Sequence, residues 1–230
     1  MRVEIADFVD GARSARGLAV IIDVFRAFSL AAHAFGRGAA AIVPVAEIDE
    51  ARKLKQQHPD HLLIGERHAR PLPGVDCGNS PALLEAFDLS GRTLIHTSHA
   101  GTQGLCGATG ADEVITGALV NAAAIVRYIR RRAPARVTLV RMGHEARERC
   151  AEDDYCAELL ARRLQGESPD TSDVRERLRT AAGARKFFDP NCDWAPERDF
   201  ELCTQVDRFD FVLRLDRQAS PPVLRRIAVP

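Results

Sequence analysis

The chain of 230 residues carries 32 basic and 32 acidic side chains and no formal net charge, which excludes bulk electrostatic attraction to nucleic acid or an anionic membrane as its working principle. No run of about 18 apolar residues offers a membrane span, and the opening MRVEIADFVDGARSARG lacks the apolar core of a secretion signal. The expectation is a cytoplasmic protein with no membrane or nucleic-acid partner. Its six cysteines form neither a CxxC pair nor a Cys/His cluster at zinc spacing, so reduced thiols are expected.

Taken in chain order, the first strong signal is LAVIIDVFRAFS at 18 to 29. Its continuous apolar run reads as a strand covered on both faces, ending on Asp23 with Arg26 three residues on, in the turn into a helix. From Gly38, GAAAIVPVAEIDEARKL reads as a strand, a loop and an amphipathic helix. A short strand then leads into the long loop of LLIGERHARPLPGVDCGNSP at 62 to 81, followed by a helix PALLEAF with Asn79 or Ser80 as its cap. TLIHTSHAGTQGL at 93 to 105 repeats the strand–turn–helix plan, and from Gly110 GADEVITGALVNAAAIV aligns without a gap to the Gly38 segment. The second of these helices has Ala122, Ile125, Val126 and Ile129 on one stripe behind Asn121 as N-cap, with Arg130 to Arg132 suiting its C-terminus. VTLVRMG at 137 to 143 is a third strand of the same kind, and the helix from about 152 to 164 buries Cys156, Leu159, Leu160 and Leu164. Ser172 is placed to cap a helix ending near Gly183, and Pro196 to open one carrying Phe200, Cys203 and Val206. Alternation at Phe209, Phe211, Leu213 and Leu215 and the segment VLRRIAV predict a C-terminal β-hairpin. The fold class is therefore α/β: a layered α/β/α arrangement with a mostly parallel sheet, two related βαβα units, and the hairpin. We read a single domain over 1–230, with subunits 1–90 and 91–230 as its candidate division.

Ligands in open α/β sheets bind beyond the carboxyl ends of the strands, which directs attention to the turns. Asp23 and Arg26 put a hard oxygen ligand beside a planar donor fork, although an Asp here also serves as an ordinary helix cap with Arg26 as its ion-pair partner. The loop after the strand at 62 gathers Glu66, Arg67, Asp76, Asn79 and Ser80 among three glycines. Thr97, Ser98 and Thr102 supply hydroxyls, and Gly101 an unobstructed backbone, at the mouth of a helix. No GxxxxGK[ST] is present, so a P-loop site is unsupported. His96 reads as a core histidine and His99 as a residue in reach of substrate. Glu152 and Asp153 border the buried stripe of their helix and can face Asp23 and Glu66 as a carboxylate cage for Mg²⁺, while Asp154 turns toward solvent. His144, Arg147 and Arg149 in the preceding loop offer substrate contacts or, as the preferred reading, solvated charges. Cys156 and Arg162 match the C-x5-R spacing of cysteine phosphatases, but the helix-forming AELLA between them rules out the phosphate loop this chemistry needs.

Four blocks, DVFRAFS, GERHARPLPGVDCGNSP, IHTSHAGTQG and EDDYCAELL, occur in an order and spacing that resembles the 2-phosphosulfolactate phosphatase (ComB-like) family. The resemblance spans most of the chain and includes ITGALVN and the ending DFELCTQVDRFDFVL. It implies an α/β fold of the family's own type and a Mg²⁺-dependent acid phosphatase that releases phosphate from 2-phosphosulfolactate on the route to coenzyme M. It also implies roles for Asp23, Arg26, Glu66, Arg67, Asp76, Gly78, Asn79, Ser80, Thr97, Gly101, Thr102, Glu152 and Asp153. Ala69, Cys77 and His99 depart from the pattern and bear on which organic group fits.

The resulting expectation assigns catalysis to Asp23, Arg26, Glu66 and Arg67. Metal binding falls to Asp23, Glu66, Asp76, Glu152 and Asp153, and substrate contacts to Asn79, Ser80, Thr97, Ser98, Gly101 and Thr102. The partner is a small anionic phosphorylated substrate, with a homodimer open. Neither the DxD of haloacid-dehalogenase phosphatases nor the RHG of histidine phosphatases is present. Alternatives are a phosphatase acting on another small phosphomonoester, such as a sugar or glycerate phosphate, and a non-catalytic phosphometabolite-binding protein.

Overall fold

A computed structural model describes residues 1–229. The strands are β1 (Arg2–Asp7), β2 (Leu18–Ile22), β3 (Ala41–Pro44), β4 (Leu62–Arg67), β5 (Arg70–Pro71), β6 (Thr93–Thr97), β7 (Glu113–Gly117), β8 (Arg136–Arg141), β9 (Phe211–Asp216) and β10 (Val223–Ala228). Between them run α1 (Phe8–Ser14), α2 (Ala27–Gly36), α3 (Ile48–Gln57), α4 (Gly101–Gly107), α5 (Ala122–Arg132), α6 (Ala151–Leu164), α7 (Val174–Arg179) and α8 (Glu197–Cys203). One ten-stranded sheet has the order β1-β8-β2-β7-β9-β10-β3-β6-β4-β5. No helix among the described residues is long and apolar enough to cross a membrane.

The sheet consists of two parallel blocks, β1-β8-β2-β7 and β3-β6-β4, joined through the antiparallel β9–β10 hairpin, with the short β5 antiparallel to β4 at one edge. The hairpin holds each block by one residue pair, Ile115 with Arg214 and Ile42 with Leu224. The two βαβα units seen in the sequence exchange strands across this junction. β2 of the first unit pairs with β7 of the second, and β3 with β6. Strands from 1–90 and from 91–230 therefore interleave in both blocks.

Burial explains why β2, LAVII, lacks polar residues. Every residue of β2 is buried. Leu18, Val20 and Ile22 face α5 and α6, whereas Ala19 and Ile21 face a core shared with α2 and α4. Leu62, Ile64 and Leu94 of the other block enter that same shared core, so α2 and α4 pack with residues of both blocks. The turns that start both helices meet there.

Local expectations hold in most elements and give way where a tertiary partner intervenes. PALLEAF forms only a single 3₁₀ turn, Leu83–Ala86, whose Leu83 N–H is capped by Ser80 Oγ at 3.0 Å. Asn121 precedes α5 but does not cap it; its Nδ2 donates to Phe211 O, and Asp207 Oδ1 accepts the Ala123 N–H instead. The helix expected from Ser172 to Gly183 is shorter, α7 ending at Arg179, and the Ser172 hydroxyl bonds Asp170. A separate 3₁₀ turn, Ala182–Phe187, follows it. Val206 lies beyond α8, which ends at Cys203.

Candidate active site

Asp23 directly follows β2, and its Oδ1 accepts the Ala27 N–H at 3.1 Å, capping α2. Its other oxygen faces the start of α4. A Cβ on residue 101 would lie 2.7 Å from Asp23 Oδ2 and 2.9 Å from Ala27 Cβ, so the close approach of the two helix starts requires glycine. The helix cap and the site-lining carboxylate are thus one conformation of one residue. Burial pushes the Asp23 carboxyl up to about 6, with the neighbouring Glu66 charge acting in the same direction.

Three more carboxylates converge on Asp23. Glu66, at the end of β4, accepts the His99 N–H at 2.6 Å on one oxygen and the Ala69 N–H at 2.8 Å on the other. Asp153, in the first turn of α6, accepts the N–H groups of Val24 and Gly143, both at 2.8 Å. Burial, with the charges of Asp23 and Glu152, holds its carboxyl well above the ordinary range. Glu152 is 3% exposed, and its Oε2 is buried without a hydrogen-bond partner. Its pKa is raised, chiefly by burial. A Cβ at Gly183 would stand 2.5 Å from Glu152 Oε1, so the turn after α7 presses its backbone onto this carboxylate.

These four acids line a cavity of about 470 Å³ together with Arg26, Asn79, His99, Arg149, Lys186 and Trp194. Lys186 is the cation that sequence reasoning missed. It sits on the Ala182–Phe187 turn, half-buried, and its Nζ donates to Phe25 O at 3.3 Å. Burial, and secondarily Arg26, lower its pKa, while Glu152, Asp23 and Glu66 oppose them. The only local cue was Phe187 beside it, which is buried and anchors the turn.

Arg26 reaches the cavity with its charge already matched. Nη1 donates to Asp199 Oδ2 at 2.6 Å and to Trp194 O at 3.0 Å, and Nη2 to Ala69 O at 3.3 Å. The partner is Asp199, rather than the adjacent Asp23 that the simple ion-pair reading offered. Asp199, fully buried, also accepts the Ser80 hydroxyl and the Ala82 N–H. Asp199 and Trp194 were not singled out from sequence because both lie more than 160 positions from Arg26.

The other expected residues divide. Asn79 lines the cavity and its Oδ1 meets Nε2 of the buried His96 at 3.2 Å, so His96 is the core histidine expected. Arg67 stands outside the cavity lining, donating to Glu66 O, Ala46 O and Thr97 Oγ1. Ser98 and Thr102 cap each other across the start of α4, the Ser98 N–H on Thr102 Oγ1 and the Thr102 N–H on Ser98 Oγ. Asp76 differs most from expectation. It lies apart from the four acids, accepting the Leu63 N–H at 2.7 Å and pairing with Lys55 at 2.8 Å. Arg149, read as a solvated charge, lines the cavity while pairing with Asp154.

Residues 5–218 match the model of the 2-phosphosulpholactate phosphatase family. The chain belongs to this family. A probable 2-phosphosulfolactate phosphatase of Bacillus subtilis (strain 168) is 28% identical over 212 residues, covering 91% of this chain and 92% of that one. Proteins of the same name from Synechococcus sp. (strain WH7803) and Carboxydothermus hydrogenoformans are 31% identical over 241 residues and 33% identical over 227. These two alignments cover 97% and 92% of this chain, and 96% and 92% of the respective relatives. Asp23, Glu66, Glu152, Asp153 and Lys186 fall inside the family match, whereas β10 lies beyond it.

Proposed function

We propose that this protein is a Mg²⁺-dependent phosphatase acting on the phosphate monoester of a small 2-hydroxy acid, with 2-phosphosulfolactate as substrate and sulfolactate and phosphate as products. The observation that carries the reading is the convergence of Asp23, Glu66, Glu152 and Asp153 in one cavity beside Lys186 and Arg26. Four acids around an anionic substrate repel it unless a cation intervenes. The donor set is all oxygen, as a hard divalent ion requires, and the unpartnered Glu152 Oε2 is a buried acceptor that such an ion satisfies. Bound there, Mg²⁺ supplies charge neutralisation for phosphoryl oxygens.

The chain's own groups do the positioning. Backbone N–H donors fix the carboxylates of Asp23, Glu66 and Asp153, so little reorganisation is needed on binding. Lys186, close to Arg26 and half-buried, offers the substrate an ammonium with few competing protein acceptors. Arg149 at the rim suits the second anionic group of a phosphorylated hydroxy acid.

Phosphate release from 2-phosphosulfolactate, glycerate phosphates and sugar phosphates, measured with Mg²⁺ and with EDTA for wild type and Asp23→Asn, tests this directly. Release only with Mg²⁺, strongest for 2-phosphosulfolactate and lost in Asp23→Asn, is expected. Hydrolysis indifferent to EDTA and to the substitution overturns the metal role. Tight binding of the ester without release reassigns the protein as a phosphometabolite-binding protein.

A further inference from the structure

Above the carboxylates, at the cavity mouth, stands a cluster of different chemistry. His68 and Ala69 form the two-residue turn between β4 and β5, and Glu145 and Ala146 a second tight turn between β8 and α6; all four have left-handed φ angles of 53° to 61°. The side chains of the two turns meet. His68 Nδ1 lies 2.6 Å from Glu145 Oε1, and the His68 and His99 rings pack edge to face with centroids 4.8 Å apart. One ligand atom from each of His68, His99 and Glu145 lies within 4.8 Å of the others. His144 Nε2 stands 3.8 Å from the same Glu145 oxygen.

We propose that His68, His99 and Glu145 bind a first-row transition ion of the Zn²⁺ class, distinct from the carboxylate site for Mg²⁺. Two imidazoles and one carboxylate are a borderline-soft donor set, which favours Zn²⁺, Co²⁺ or Ni²⁺ over Mg²⁺. Three protein ligands leave a fourth position open, and His99 and Glu145 both line the cavity, so this position is reachable from it. Ligand atoms about 2.0–2.2 Å from a tetrahedral ion sit roughly 3.3 Å apart, so the His68–Glu145 contact must open slightly as the proton between them is released. His68 is 69% exposed in its side chain and free to make that adjustment.

The test is titration of EDTA-stripped protein with Co²⁺ in excess Mg²⁺, followed by calorimetry and visible d–d absorption. The result expected is a single Co²⁺ per chain with the intense bands of four-coordinate ligation. His68→Asn, which keeps the left-handed turn, and Glu145→Gln each weaken binding by about tenfold or more, while Asp23→Asn leaves it in place. Co²⁺ binding that Mg²⁺ displaces, or that Asp23→Asn abolishes and His68→Asn spares, assigns the ion to the carboxylates and overturns the proposal. Absence of Co²⁺ binding overturns it equally. Because the readout is binding, the phosphatase reading can fail without altering this result.

Discussion

The two parallel blocks of the sheet each end a strand in an acid followed closely by an arginine: Asp23 and Arg26 after β2, Glu66 and Arg67 at the end of β4. The two acids behave alike, both buried, both held by backbone N–H groups, both lining the cavity. The two arginines do not. Arg26 is buried against the Asp199 carboxylate and borders the cavity, whereas Arg67 is directed away and donates only to neutral oxygens. The acid's place follows from the strand end, since its short side chain stays near its own backbone. An arginine reaches several ångströms further, so distant parts of the chain determine its role.

This contrast is most easily broken at Asp199. Asp199→Ala leaves the Arg26 charge buried and unpaired and should cost about 3–5 kcal/mol in denaturant unfolding. Arg67→Met removes hydrogen bonds to neutral acceptors from a half-exposed side chain, and a smaller loss of about 2 kcal/mol is expected in the same assay. If Arg67→Met proves as costly as Asp199→Ala, the two arginines are equivalent after all.

The acids are compared through pH. With its pKa raised from 3.8 to about 6, Asp23 binds more protons in the folded state than in the unfolded state across this window. Its contribution to stability therefore falls as pH rises from about 4 to about 6, and the metal-free protein should melt at higher temperature at pH 5 than at pH 7.5 on this account. Under the proposed metal role Mg²⁺ would replace the proton, so the melting shift it produces should be larger at pH 7.5 and should shrink in Asp23→Asn. Equal shifts at both pH values would remove Asp23 from the metal site. Gly101→Ala, which places a methyl 2.7 Å from Asp23 Oδ2, should weaken Mg²⁺ affinity by about tenfold, read by calorimetry. The smallest effect belongs to Asp76→Asn: about 1 kcal/mol of stability from the Leu63 and Lys55 contacts, with Mg²⁺ affinity unchanged.

Much of the site was legible because the relevant signals are local. An apolar run ending in Asp23, a loop opening with Glu66, and an acidic first turn at Glu152 and Asp153 each position a carboxylate within a few residues of a predicted strand or helix end. Asp76 misled because it shares a glycine-rich loop with Glu66 but folds back to accept the Leu63 N–H. Lys186 was invisible because its turn carries no motif, and only the packing of Phe187 and Gly183 brings it over the acids.

By itself the sequence determined the strands from β2 onward other than the short β5, which faces of α5 and α6 are buried, and which carboxylates stand at strand and helix ends, because periodicity and turn chemistry act over a few residues; the edge strand β1 was not read from it. Tertiary structure alone decided that the terminal hairpin joins the two blocks in mid-sheet and that the paired units exchange strands. It also decided that Arg26 belongs to Asp199 and that two histidines and a glutamate meet at the cavity mouth. Those outcomes depend on burying the two faces of a shared sheet at once, a condition met only between residues far apart in the chain.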